Sequence, residues 1–420
     1  MCPVKIEGFR IQGFKNIKDV TVEGLSGINV FFGLNDVGKS NLFEALALWF
    51  WLLSEARSPI GDMPIERLNS LFNVPLFQID GQDLIQINVN VVLDRQDLPK
   101  ALQEGTPAAL LKSRFDYLNQ STVSLTCQIK IERNTDKIGY QVTKNWEGGG
   151  NFDLHPNDLS SILSHFHVIH ANRRFQIERR AKSNEVTPVN YQNLKQSLFY
   201  AYLSRELQQK ERLNAIRRIL SESPFELGQL DVALAPDTDE IDIGFVRSNG
   251  RLPIENLGSG VQQLLLILGQ VFLNNYPIVA LEEPEMNLSP QYQQYLMIAL
   301  RRLMDDPAVA LNQLFISTHS PYFEFSENFY HITLDQQGHS QVVHGTARER
   351  ERYFAVTTLG PYTGARLNSL NQVELYKGVV EDLGLERGDL VIFVKSEETG
   401  HWEVRSAEDI AQELQALPNG

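Results

Sequence analysis

The chain has 420 residues, of which 42% are hydrophobic and 21% charged, and a formal net charge of −14. This is the make-up of a globular protein that can bury a large core, and the acidic balance argues against a protein that coats nucleic acid indiscriminately, while leaving room for a local basic face. No run approaches the length of a membrane-spanning helix, the start MCPVKIEGFR has no apolar signal core, and two cysteines, Cys2 and Cys127, build neither a disulfide framework nor a zinc site, so the expectation is a cytoplasmic chain with no membrane segment.

In chain order, VKIEGFRIQGF, VTVEGL and INVFFG read as short strands separated by glycine or polar breaks. Helical periodicity follows from Lys39 to about Trp51. LIQINVNVVL, TVSLTCQIKIERN and KIGYQVTKNW predict antiparallel strands, GGGNFD a loop, and FHVIHANRRF a buried strand emerging into basic residues. From Asn190 to Ser221 the spacing predicts one helix ended by Ser-Pro, and ALAPDTDEIDIGFVRSNGRL carries acidic strand and turn signals. SGVQQLLLILGQVFLNN, PIVALEEPE, SPQYQQYLMIALRRLMDD and QLFISTHSPYF then alternate as helix, strand, helix and strand. Such alternation implies an α/β fold with a mainly parallel sheet covered on both faces. The last seventy or so residues change character and predict a small separate module with a hairpin.

Four stretches carry chemistry. Gly33-Leu-Asn-Asp-Val-Gly38-Lys39-Ser40 has the spacing G-x-x-x-x-G-K-S between an apolar strand and a helix. Glycines let backbone N–H groups wrap phosphates, and the helix start adds positive potential. Lys39 can reach the β and γ oxygens of a nucleoside triphosphate, and Ser40 can ligate Mg²⁺. The apolar strand PIVAL ends in Glu282-Glu283-Pro284-Glu285. The strand beside the phosphate loop is expected to deliver Glu282 toward Mg²⁺, leaving Glu283 as general base for the attacking water. Leu257-Gly258-Ser259-Gly260 opens a long apolar helix, which Ser259 can cap and whose exposed N–H groups form an anion site. Finally, His319 in Ser317-Thr318-His319-Ser320-Pro321 can donate to a phosphate oxygen.

The order of these parts resembles that of ATP-binding-cassette ATPases. The forms GKSN, LGSGVQQ, ALEEPE and STHSP are similar to the chromosome-maintenance and repair branch, and most of all to RecF-like ATPases and the heads of overcoming-lysogenization-defect (OLD) nucleases. FRIQGFKNIKDVTVEGLSGINVFFG resembles the opening strands of the same family. The resemblance covers residues 4 to 50 and about 166 to 325. It implies an ABC-type P-loop NTPase head at residues 1–345, with a β-rich insertion at about 57–160, a basic helical insertion at about 176–225, and a further module at 346–420. It implies ATP and Mg²⁺ as ligands. Gly33, Asn35, Gly38, Lys39, Ser40 and Asn41 would hold the nucleotide, Ser40 and Glu282 the metal, and Glu283 with His319 would act on the phosphate. Ser259 and Gly260 would reach ATP bound by a second copy, giving a homodimer or larger homo-oligomer closed on two nucleotides.

Two departures from the pattern stand out. Glu282 occupies a position where many cassette ATPases use Asp, and Ser289 stands where transporters of that class place Asp. A glutamine-loop counterpart is not evident, Asn172 and Arg173 being candidates by position only. Between residues 171 and 222, eleven Lys and Arg stand against five Glu, a local balance of +6, and Arg173, Arg174, Arg179 and Arg180 are candidate DNA contacts. The Toprim nuclease domain that follows the head in OLD nucleases needs an Asp-x-Asp pair, and none occurs after His319. The functional expectation is the sensor or scaffold ATPase of a prokaryotic phage-defence pair controlling a separate effector nuclease. The alternative is a DNA-binding repair or chromosome-maintenance ATPase.

Overall fold

The computed structural model describes residues 4–56, 58–69, 84–94, 116, 122–133, 137–146, 166–171, 175, 178, 189–235, 238–274, 276–306, 309–320, 323, 328–345, 366–367, 373–374, 391–395 and 402–406. The chain divides into two compact units, Met1–His344 and Gly345–Gly420.

Two six-stranded sheets organise the first unit. One is antiparallel, in the order β2-β1-β5-β6-β7-β4. Its strands are β1 (Val4–Phe14), β2 (Ile17–Glu23), β4 (Ile60–Pro64), β5 (Leu84–Asp94), β6 (Thr122–Arg133) and β7 (Lys137–Trp146). Alternating burial along β7 is that of a sheet with one covered face. β1 carries a bulge between Ile6 and Gly8, so its inward set shifts from Val4 and Ile6 to Phe9 and Ile11.

The second sheet runs β15-β14-β3-β13-β12-β8. It contains β3 (Ile28–Phe32), β8 (Phe166–Ile169), β12 (Ile278–Glu282), β13 (Gln313–Thr318), β14 (Asn328–Leu334) and β15 (Ser340–His344). Every pairing in it is parallel except β14–β15. β12 and β13 are buried at every position, as strands covered on both faces must be. Their residues alternate between two cores. Phe31, Ile278, Ala280 and Phe315 face α1 (Lys39–Glu55) and the antiparallel lobe, whereas Val30, Val279, Leu281, Leu314 and Ile316 face the other helices. α1 is apolar nearly all round because it lies between two sheets, with Trp49 Nε1 donating to the Cys127 carbonyl at 3.1 Å. A short helix, α2 (Ile65–Asn69), follows β4.

The other face is covered by α3 (Leu194–Leu203), α4 (Leu207–Ser221), α5 (Ser259–Asn274) and α6 (Pro290–Met304). A three-stranded antiparallel sheet of β9 (Gln229–Leu234), β10 (Ile241–Arg247) and β11 (Gly250–Pro253) joins them. The single helix expected from Asn190 to Ser221 is therefore two. Ser204 and Glu206 are extended, and the Ser204 hydroxyl accepts the Glu206 N–H at 3.1 Å, a local bond that competes with helix continuation. Buried residues of α3 and α4 then pack in the same core as α5.

In the second unit, the described residues form two small antiparallel pairs, β16 (Arg366–Leu367) with β17 (Val373–Glu374) and β18 (Val391–Lys395) with β19 (Trp402–Ser406). The latter is the hairpin expected there. Among the described residues no helix is long and apolar enough to cross a membrane.

Candidate nucleotide site

The C-terminal ends of β3, β13, β12 and β8 converge with the start of α1, at the edge where a parallel sheet presents its ligands. The loop between β3 and α1 begins at Gly33, whose N–H donates to the Thr318 carbonyl at 3.2 Å. A Cβ on Gly33 would lie 2.5 Å from the Ile332 carbonyl oxygen, so only glycine allows this close approach. Gly38 has φ 96°, and Asp36 is also left-handed at φ 65°. Alternation of this kind turns successive N–H groups inward and makes an anion-binding nest. The loop is braced from behind. Ser340 Oγ donates to the Val37 carbonyl at 2.6 Å, and Ser340 N–H to the Asn16 carbonyl at 3.0 Å. Asn41 Nδ2 donates to Asn16 Oδ1 at 2.8 Å, so Asn41 is engaged with the β1–β2 turn, while Asn35 is exposed on the loop.

Lys39 is buried and folds back along the loop, donating to the carbonyls of Gly33 at 2.8 Å and Leu34 at 2.6 Å. Burial lowers its pKa, against the opposing pull of negative charge on Glu283, Glu285 and Asp36. Of the carboxylates expected to share the site with Lys39, Glu283 is one whose charge reaches it.

Glu282 ends β12, buried, in register with Ser317 of β13. Burial pushes its pKa up, but hydrogen bonds and charge from His170, the Ser40 hydroxyl and the Ala171 N–H outweigh that and hold the carboxylate below its usual range. His170 Nδ1 lies 2.9 Å from Glu282 Oε2, because β8 pairs Ile169 with Leu281 and the next residue along falls beside Glu282. The expectation that the glutamate strand adjoins the loop strand is corrected by the topology. β13 lies between β3 and β12, and the approach of Ser40 to Glu282 spans it.

Glu283 is half-buried with φ 40°, an uncommon conformation for a side chain with a Cβ, and its N–H donates to the Ser317 carbonyl at 2.8 Å. His319, half exposed, places Nδ1 3.1 Å from Glu285 Oε1. That oxygen also accepts the Thr318 hydroxyl at 2.7 Å and the His319 N–H at 2.9 Å.

Ser259 does not cap its helix. The Gly258 carbonyl accepts from Val261 and Gln262, which makes Ser259 the first helical residue and leaves it exposed. Gln262 Nε2 braces the preceding turn through the Ile254 and Leu257 carbonyls, each at 3.1 Å. Gly260 lies against the turn after the acidic pair, where an added Cβ would stand 3.2 Å from the Asn287 carbonyl oxygen. Ser289 caps α6, its hydroxyl accepting from Tyr292 N–H, with Pro290 at the first helical position. Asn172, Arg173, Arg174, Arg179 and Arg180 lie outside the described residues.

Four residues of the site were not singled out from sequence: His170, Glu285, Asn16 and Ser340. Glu285 sat in the quoted acidic run, and His170 in the quoted strand. Asn16 and Ser340 meet the loop from far away in the chain and leave no local signal.

The AAA ATPase domain family matches residues 54–323, well over half of the chain. A protein of Helicobacter pylori named ATP/GTP phosphatase is 22% identical over 341 residues, covering 76% of this chain and 86% of its own length. An uncharacterized protein of Methanocaldococcus jannaschii is 29% identical over 133 residues, which are 32% of this chain and 16% of that protein. The SMC head domain from Pyrococcus furiosus aligns with a TM-score of 0.47 at 12% identity, covering 85% of this chain and 100% of that one. With its phosphate loop, paired strand-end carboxylates and family match, the chain belongs to the AAA ATPase domain family and is an ATP hydrolase.

Proposed function

We propose that two copies of the chain close on two ATP molecules in the manner of ABC-type heads. Each nucleotide is held by the loop from Gly33 to Asn41 of one copy and touched by Ser259 and Gly260 of the other. The observation that carries nucleotide binding is the buried Lys39 folded back along the glycine loop onto the Gly33 and Leu34 carbonyls, with the buried Glu282 at the end of β12 held by His170 at 2.9 Å. A hydroxyl and a carboxylate are hard oxygen donors of the kind Mg²⁺ takes, so Ser40 and Glu282 would hold that ion, which when bound neutralises charge on the phosphate oxygens. Lys39 leaves the loop carbonyls for the β and γ oxygens. Glu283 takes a proton from water as the water oxygen bonds to the γ-phosphorus. The bond from that phosphorus to the bridging oxygen breaks, and ADP departs with the electron pair. His319 donates to a γ-phosphate oxygen. Loss of the γ-phosphate removes what bridges the two copies, and they separate. The exposed position of Ser259 at the first turn of α5 supports its action across the dimer.

The test is the native mass of the Glu283→Gln protein with and without ATP. A dimer that forms with ATP and persists is expected; a mass unchanged by ATP refutes the closed dimer.

In its wider role the chain is a sensor and scaffold that holds or releases a separate effector nuclease in phage defence. Support comes from the resemblance of its motifs to OLD-type heads. A stoichiometric nuclease in a pull-down is the expected result. The basic stretch favours a second reading, a DNA-dependent repair ATPase. That reading requires that neutralising Arg173, Arg174, Arg179 and Arg180 abolish DNA-stimulated hydrolysis, a change that leaves a scaffold unaffected.

A further inference from the structure

Glu285 is among the most buried charged side chains near the site, 6% exposed, and its two oxygens are treated very differently. Oε1 receives the Thr318 hydroxyl and the His319 N–H, and His319 Nδ1 lies 3.1 Å from it. Oε2 is buried without a hydrogen-bond partner among the described residues. A carboxylate kept only to satisfy a strand end would gain by spreading its donors over both oxygens, since an orphaned buried oxygen is destabilising. Here both hydrogen-bond donors that Glu285 takes come from residues 318 and 319.

The grip is itself held rigid. The Thr318 hydroxyl accepts the Ser320 N–H at 2.9 Å, and Ser320 Oγ donates to Gln293 Oε1 at 2.5 Å. Gln293 Nε2 then donates to the Leu288 carbonyl at 3.0 Å, in the same turn that begins at Glu285. The turn and the end of β13 are thereby closed into one ring of bonds.

We infer that Glu285 is the positioning residue for His319, fixing which ring nitrogen carries the proton toward the turn and which faces the substrate. The inference rests on the reading that His319 contacts the γ-phosphate. A proton on Nδ1 would be placed to donate to Oε1, and Nε2 is then the nitrogen left for the phosphate on a ring that is 46% exposed. Glu285 acts through His319.

The test compares Glu285→Gln, His319→Gln and the double variant in steady-state ATP hydrolysis, with nucleotide affinity measured by a fluorescent ATP analogue. Glu285→Gln is expected to lower kcat about ten- to a hundred-fold, the scale seen for partners that orient metal-bound histidines. KM and analogue affinity stay within about two-fold, and the double variant is no slower than His319→Gln, because the two residues act as one unit. If His319→Gln is impaired while Glu285→Gln keeps wild-type kcat, or if the two losses multiply, the inference falls alone. If His319→Gln has wild-type kcat, the reading beneath it falls as well. A measurement free of folding effects is the side-chain ¹⁵N spectrum of the wild-type protein, with the His319 signal assigned by its loss in His319→Gln. A proton on Nδ1 is expected, and a neutral ring protonated on Nε2 alone overturns the inference.

Discussion

Replacing Gln313 with leucine tests how the site strand is anchored. Gln313 opens β13, is 1% exposed, and reaches across to the antiparallel lobe. Its Nε2 donates to the Ile6 carbonyl at 2.7 Å and the Ser26 carbonyl at 3.1 Å, and its Oε1 accepts the Ile6 N–H at 2.9 Å. Ser26 O has a second donor in Asn29 Nδ2, so leucine strands two groups, both on Ile6, a residue with no exposed surface beside the β1 bulge. At about 1–3 kcal/mol for each buried group left unpaired, the loss is roughly 2–6 kcal/mol. The added apolar burial returns about 1 kcal/mol. The net expectation is ~3 kcal/mol, a large part of the 5–15 kcal/mol that holds a typical domain together. Urea unfolding followed by tryptophan fluorescence reads the change as a lower midpoint at unchanged slope, and hydrogen exchange at the Ile6 amide should accelerate in step. A midpoint within about 0.5 kcal/mol of wild type, the scale of an ordinary surface substitution, would refute the accounting.

Other expectations follow from the same geometry. Lys39→Ala should abolish binding of the fluorescent ATP analogue while leaving the melting temperature within a few degrees of wild type, and retained binding would remove Lys39 from the site. Gly38→Ala places a Cβ 2.2 Å from Ser340 Oγ at φ 96°, so the loop must distort; a rise in KM for ATP of about ten-fold or more is expected in steady-state assays. A mixture of Lys39→Ala and Ser259→Arg proteins, each inactive alone, should regain activity in about one-quarter of sites, because a mixed dimer holds one intact pair; no recovery would argue against Ser259 acting in trans. His167 is held down to about 4 by burial, then by the neighbouring His170, and it stacks on Tyr276 with ring centroids 5.0 Å apart. Below its unfolded value near 6.5 the unfolded chain takes the proton and the folded chain does not, so stability falls as pH drops from about 6.5 to 4. At full effect this is ~3 kcal/mol, which His167→Gln should remove from urea titrations across that range.

The phosphate loop was legible because its information is local: an apolar strand, two glycines at fixed spacing, Lys-Ser and an apolar helix lie within a few residues of one another. The lobe strands β5, β6 and β7 were legible for the same reason, their alternation being readable within each strand. The break between α3 and α4 was not, since no glycine or proline marks Ser204 and the turn depends on its hydroxyl and on what each helix packs against. Strand order escaped too. β1 and β3 are near neighbours in sequence yet belong to different sheets, and β13 follows β12 in the chain but lies between it and β3 in space. Glu285 stood in plain view, but a third carboxylate in an acidic run has no signature that distinguishes a ligand from a brace. Its grip on His319 becomes visible only when two strand ends are brought side by side.

The bridge from Gln313 to Ile6 joins positions 307 apart. A nascent polypeptide leaving the ribosome therefore carries its glycine loop for most of its synthesis without the neighbouring strand that floors it. Neither six-stranded sheet is complete until distant segments have emerged, and contacts this remote are the slow ones to form. A fragment stopped short of Gln313 would keep the most recognisable letters of the enzyme and lack the surface that gives them meaning.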